Sequence, residues 1–319
     1  MSGSENKPYP PPTTVTTVLA CLGGYYAAWF LLQMMIQRTG MILLSGGDLP
    51  GVIIPLAVIF NVLAAAGLTA FHLVYAEPGL ARRPAFRTAL ILISLSIGTI
   101  LFVSTRNTDA DITIQILSTG NLLVLACLVG PWLCLALKRP SEIVLLAAFV
   151  LMIDGISVLA GPTRVISDML KPYYKGGMTG PVPLSDVLIL KAAVPGLAQA
   201  MPVFGVSDWV MLVFFAAACM KFNIRDNLLG EGLDEMVRKR RVSGLFLPVT
   251  GAGLIIAVIA AQGLGLFLPA LPFMALALIL YLTACFPETR RLDSRDWIAA
   301  AILTMVIGAA VTLVFHFRG

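Results

Sequence analysis

Ile143-Val-Leu-Leu-Ala-Ala-Phe149-Val-Leu-Met-Ile-Asp154-Gly-Ile-Ser157-Val-Leu-Ala-Gly161 is apolar and long enough to cross a bilayer, yet it carries a carboxylate. Even on lenient insertion scales an ionised Asp at the centre of a span costs about 2.5–3.5 kcal/mol. A second stretch, Phe204-Gly205-Val-Ser207-Asp208-Trp209-Val-Met-Leu-Val-Phe214, repeats the pattern. Two such carboxylates ask for a shared purpose. If their helices lie side by side, the carboxyls can share one proton, because like charges in close contact cannot both ionise cheaply. Aspartyl proteases work through such a pair.

Composition extends this reading to the whole chain. With 58% hydrophobic and 12% charged residues and a mean hydropathy of +0.91 over 319 residues, the sequence holds more apolar surface than a soluble core can hide. An all-α, polytopic membrane protein follows. The net charge of +5 does not point to nucleic acid, because the basic residues sit in short loops beside apolar runs and read as topology signals. Cys21, Cys127, Cys134, Cys219 and Cys285 form no CxxC pair, so the sequence indicates neither a zinc site nor a disulfide framework, and they read as packing residues. Residues 1–14 are polar and Pro-rich, without the basic start and short apolar core of a signal peptide, and read as a flexible tail.

Segments able to cross about 30 Å of hydrocarbon at about 1.5 Å per residue fall at Val15–Ile36, Gly51–Tyr75, Thr88–Val103, Ile112–Leu137, Ile143–Gly161, Val203–Phe222, Val242–Phe267, Pro269–Phe286 and Trp297–Phe317, about nine in all. The run from Leu245 to Phe286 is divided at Gly263-Leu-Gly265 and Pro269, since proline lacks the N–H that would continue the helix. Basic residues concentrate in alternate loops, including Arg82, Arg83, Arg87, Lys138, Arg139 and Arg238 to Arg241. This places the N-terminus in the cytoplasm and the Pro162–Pro202 connection outside. That connection reads as a long loop with turn signals at Lys171-Pro172, Gly176-Gly177 and Gly180-Pro181, and so as a functional or mobile segment. Gly230 to Arg241 reads as a short surface helix with its basic end at the lipid headgroups.

Asp154 stands seven residues before Gly161, roughly 10 Å from the outer end of its span. Asp208 enters the next span from the same side. Consecutive helices are antiparallel neighbours by default, so the carboxylates can meet at similar depth. Gln33, Asn61, Gln115, Asn121 and Gln262 read as interhelical glue, and His72 and His316 as interfacial residues. A serine nucleophile at Gly205-Val-Ser207 lacks a histidine at matching depth. Leu268-Pro269-Ala270-Leu271-Pro272 opens a later span, and its two prolines should interrupt the helix and leave backbone groups free to line a cavity.

Asp154 in one span, Gly205-Val206-Ser207-Asp208 at the start of the next and Pro269-Ala270-Leu271 two spans later together resemble the GxGD intramembrane aspartyl proteases, presenilin, signal peptide peptidase and their prokaryotic relatives. Lys191, Pro195 and Lys221-Phe222 are weaker echoes of signal peptide peptidase, and Pro272 is more like presenilin. The resemblance covers roughly Ile143 to Phe286. Two positions depart from the family pattern: Ile153 stands where the family has Tyr, and Ser207 where it has Gly.

The resemblance implies a multi-pass protein of a prokaryotic cell membrane. Residues 15–142 would form the N-terminal helices, 143–286 the catalytic core with the PAL segment, and 287–319 a loop and last helix. Asp154 and Asp208 would be the catalytic residues, while Pro269, Ala270, Leu271, Gly205, Val206 and Ser207 would meet the substrate, a transmembrane segment or signal-peptide remnant. No metal or organic cofactor would be needed. Gly155 and Gly205 are expected to let the aspartate helices approach closely. Two other readings use the same residues: a secondary transporter with both aspartates as ion-coupling sites, and a noncatalytic homologue that binds transmembrane helices.

Overall fold

The computed structural model describes residues 13–43, 53–107, 111–160, 162–176, 182–197, 199–264 and 269–290, with the backbone of 301 and 305. Apart from residues 301 and 305, the expected last span, Trp297–Phe317, lies outside these residues, as do the side chain of Gln262 and His316. The chain is mostly helical. In order come α1 (Val15–Leu43), α2 (Ile53–Tyr75), α3 (Glu77–Leu80), α4 (Pro84–Asn107), α5 (Ile112–Cys134), α6 (Ser141–Ala160) and α7 (Pro162–Lys175). A 3-10 turn (Leu184–Leu188) leads to β1 (Ile189–Ala192) and β2 (Met201–Gly205), followed by α8 (Val206–Lys221), α9 (Leu233–Lys239), α10 (Val249–Leu264) and α11 (Ala270–Cys285).

Among the described residues four helices are long and apolar enough to cross a membrane: Val15–Gly40, Ile53–Tyr75, Pro84–Thr105 and Ile112–Cys134. Val249–Ala261 and Ala270–Cys285 are apolar but shorter. Helix α4 shows why lipid is the fitting solvent: Leu92, Ile93, Leu95, Ile97, Ile100 and Val103 are all exposed. In water such a stripe would be an aggregation site.

Glycines decide where helices touch. A Cβ at Gly130 of α5 would come within 2.9 Å of the Phe214 amide of α8, and one at Gly253 of α10 within 2.8 Å of the Phe273 carbonyl of α11. These close crossings join α5 to α8 and α10 to α11. Tyr25, Trp29, Val62, Leu73, Ile116, Leu123, Trp209, Leu212 and Met274 form the larger buried cluster. Ile143, Ala147, Phe214, Phe215, Leu278 and Leu282 belong to the second, where the first half of α6 meets α11, which in turn packs on α8. Lys221 ends α8 by donating to the carbonyls of Cys134 (3.2 Å), Leu135 (3.3 Å) and Leu137 (2.6 Å), so it caps α5 from a neighbouring helix.

The expected outer loop is built structure. Ile166, Met169, Leu170 and Tyr173 recur at helical spacing, and Pro162 suits a first helical turn, so α7 forms and buries Leu170 and Tyr173. β1 and β2 pair antiparallel, with Leu190 opposite Phe204 and a bulge between Leu190 and Lys191. The connection turns at Pro195-Gly196, where Gly196 has φ 82° and the Leu197 amide bonds the Val194 carbonyl at 3.1 Å. Proline followed by a left-handed glycine is the signature of a type II turn. This turn sits on α1: a Cβ at Gly40 would collide with Pro195 Cα and Gly196 N. Gly40→Ala is therefore expected to displace the hairpin at a cost of about 1–3 kcal/mol, read as a lower melting temperature; an unchanged melting temperature would show that the turn yields freely.

Several boundaries are corrected. Val203–Gly205 belongs to β2 rather than to the following helix, and α10 starts at Val249, not Val242, because Asn227 and Pro248 bridge the preceding loops. Helix α4 begins earlier than expected, at Pro84, since proline is tolerated in a first turn. The surface helix expected within Gly230–Arg241 is α9. Arg87, counted among the loop charges, is buried and pairs with Glu77 at 2.5 Å. His72 is also fully buried, because α2 ends against α5 and α4 rather than at a wet interface. Lys191 is buried as well, and Cys285 is exposed rather than packed.

Asn227 ties the loops after α8 together, donating to the carbonyls of Glu231 (2.8 Å) and Leu245 (3.2 Å) and accepting from the amides of Leu229 (3.1 Å) and Leu247 (3.0 Å). Beside it Asp226 is 2% exposed, with Oδ1 unpartnered. Burial, reinforced by Asp234 and opposed by a bond to its own amide, lifts its carboxyl from 3.8 to about 8. Between those values the folded state holds a proton that the unfolded state has released, so stability falls as pH rises from 3.8 to about 8. Asp226→Asn is expected to flatten this loss, and melting curves taken across that pH range check it; a slope unchanged by the substitution would assign the loss elsewhere.

Candidate active site

Asp154 lies in the second half of α6 and is half-buried, with Met152 and Ile153 exposed beside it. The helix holds its place through Ile143 and Ala147, roughly two to three turns earlier, which join the apolar cluster built around α11. Around Asp154 the packing opens. A Cβ on Gly155 would meet nothing within 4 Å, so this glycine does not serve a close helix approach as expected.

Asp208 is held more firmly. It is the third residue of α8, and its Oδ2 accepts the Gly205 amide at 3.0 Å. A carboxylate three residues past the N-cap is well placed to take an orphan amide of the first turn. Phe204 stacks on Trp209 with centroids 5.4 Å apart and planes at 16°, which fixes the turn from β2 into α8. Trp209 is fully buried, so the carboxylate rests on a packed base. The carboxyls of Asp154 and Asp208 lie within electrostatic reach of one another.

Ser207 is exposed and its hydroxyl bonds neither carboxylate. Gly205 and Val206 are half-buried in the same turn. No hydrogen bond links Ser207 to His72, which lies in the last turn of α2 beside Arg87 and Cys127. A serine–histidine pair is absent among the described residues.

The Pro-Ala-Leu segment differs from expectation. Pro269 is extended at φ −70° and ψ 134° and precedes the helix, but Ala270, Leu271 and Pro272 already form the first turn of α11. Proline is accepted there because first-turn amides lack intrahelical partners in any case. The free backbone groups are thus those of a helix start. Ala270 is buried, Pro269 and Leu271 half-buried, and Ala270 and Leu271 join the apolar cluster that holds Trp209, Phe204 and Val206. The start of α11 and the β2–α8 turn thus belong to one apolar cluster, and α11 packs against both aspartate helices.

Sequence reading did not foresee how this neighbourhood is supported. Lys191 pairs with Asp186 at 2.5 Å, and Tyr174 of α7 donates to the same Asp186 carboxylate. The uncharged polar residues act as glue, though not only between helices. Asn121 bonds Ser94 across α5 and α4, whereas Gln33, Asn61, Thr119 and Gln115 bond the backbone around the hairpin.

No family model, curated protein or solved structure matches the chain.

Proposed function

We propose that the protein is an intramembrane aspartyl protease that hydrolyses peptide bonds in transmembrane segments through Asp154 and Asp208. The reading is carried by one observation: the two carboxyls come from separate helices and lie within electrostatic reach of one another, with open space at Gly155 beside Asp154. The nine-span topology, the presenilin-like arrangement and the placement in a prokaryotic cell membrane, with a cytoplasmic N-terminus, belong to the same proposal.

One carboxylate takes a proton from water as the oxygen attacks the scissile carbonyl carbon. The other carboxyl gives its proton to the carbonyl oxygen, producing a tetrahedral diol. A proton then passes to the amide nitrogen, the C–N bond breaks, and an acid and an amine leave. The pair titrates as a unit, so neither residue owns a single role. A helical substrate must first unwind. Its exposed backbone can regain partners along a strand edge, and β2 leads directly to Asp208.

The test is cleavage of a single-span reporter by purified protein in bilayers, comparing the wild type with Asp154→Asn and Asp208→Asn. Loss in both variants supports the dyad. Cleavage unaffected by either change would overturn it, and solute uptake lost in place of cleavage would favour an ion-coupled transporter.

A further inference from the structure

The two edges of the β1–β2 hairpin are chemically unequal. Among the described residues the sheet has two strands only, so each has one side without a strand neighbour. On the β1 side that vacancy is filled by side chains. The Lys191 amide donates to Thr119 Oγ1 at 2.9 Å, and the Ala193 amide donates to Gln33 Oε1 at 2.7 Å. The Ala193 carbonyl accepts from Asn61 Nδ2 at 3.3 Å, and Gln33 Nε2 donates to Asn61 Oδ1 at 2.5 Å. Residues two apart in a strand project to one edge, so these bonds close the same side. The Gln33–Asn61 carboxamides present the donor and acceptor that a neighbouring peptide group would present. Helices α1, α2 and α5 thus supply the equivalent of a third strand.

On the β2 side, among the described residues, side chains bond only the two ends, and Pro202 within the strand has no N–H to donate. Gln115 accepts the Ala200 amide at 3.2 Å just before the strand, and at its other end Gly205 donates to Asp208 itself. All five residues from Met201 to Gly205 are half-buried.

We propose that Gln33, Asn61 and Thr119 are positioning residues that close the β1 edge, so that an extended substrate segment joins the hairpin only along Met201–Gly205 and in one register relative to Asp208. This rests on the reading of the aspartate pair as a proteolytic site. A slip of two residues would move the presented bond by about 7 Å, beyond reach of a fixed carboxylate.

The binding arm of the test uses the Asp154→Asn protein, so that it does not depend on hydrolysis, and a single-span peptide carrying a photoreactive benzoylphenylalanine. Crosslinks should map to Met201–Gly205, and Thr119→Val or Gln33→Met should shift a substantial share to Ile189–Val194. In the same variants amide exchange at Lys191 and Ala193 should rise about tenfold or more, because each amide loses its buried acceptor. Thr119→Ser should restore the wild-type pattern in both readouts. In active protein the variants should add products displaced by two residues, a change that simple destabilisation would not cause. Fast exchange at Lys191 and Ala193 in the unaltered protein, crosslinks to neither strand, or an unshifted pattern in variants whose amides have opened would each overturn the proposal. Crosslinks to β2 without hydrolysis by the wild type would sink the protease reading and leave the edge assignment standing.

Discussion

Asp208→Asn is expected to lower reporter cleavage by ~10²–10⁴-fold or more, the range associated with loss of a positioned proton-transfer group. The substitution isolates chemistry from folding. A carboxamide oxygen can still accept the Gly205 amide, so the first turn of α8 keeps its bond. Trp209 and its stack with Phe204 are untouched. What is lost is the ability to take and return a proton. Asp154→Asn should cost a similar factor, and the double variant should be little worse than either single one, because groups acting as a unit are not additive. The pH–rate profile of the wild type should be bell-shaped, reporting the pair's two macroscopic titrations. Additive losses, or a melting temperature that falls in step with activity, would count against the dyad.

Lys191→Met is expected to be the most destabilising single change around the site. Lys191 and Asp186 have side-chain exposures of 8% and 6% and meet at 2.5 Å. Removing the ammonium leaves the carboxylate buried with only the Tyr174 hydroxyl as a partner. Breaking such a pair from one side costs about 3–5 kcal/mol, whereas replacing both members by apolar residues is often near neutral. Asp186→Leu added to Lys191→Met should therefore recover much of the loss, a coupling that a double-mutant cycle on melting temperature measures. The pair joins the segment after α7 to β1, so the single variant should also loosen the hairpin and reduce cleavage. A single variant as stable as the wild type would mean that the ion pair adds nothing to holding β1.

The helical membrane character was legible because it is a property of composition and run length. Twenty or so apolar residues have one low-cost environment, and the exposed face of α4 shows that environment being used. Asp154 and Asp208 were legible as candidates for the same reason: a carboxylate in an apolar run is conspicuous without any knowledge of its neighbours. The hairpin was not. Ile189–Ala192 is too short to declare a period, and Met201–Gly205 merges with the apolar start of α8, so by sequence each reads as part of a loop or a span. Lys191 and Arg87 looked like topology markers because burial of a charge depends on a partner elsewhere in the chain, Asp186 in one case and Glu77 in the other.

The sequence by itself determined the solvent of this protein, its helical class and the residue types available for acid–base chemistry, since each follows from local composition and spacing. Tertiary structure alone decided that the connection before Asp208 is a helix and a hairpin, that Ala270 to Pro272 begin a helix rather than interrupt one, and that side chains of α1, α2 and α5 close one edge of β1. The physical reason is common to all three: a backbone amide or a buried charge takes whatever partner the packed chain brings within reach, and those partners lie up to 160 residues away.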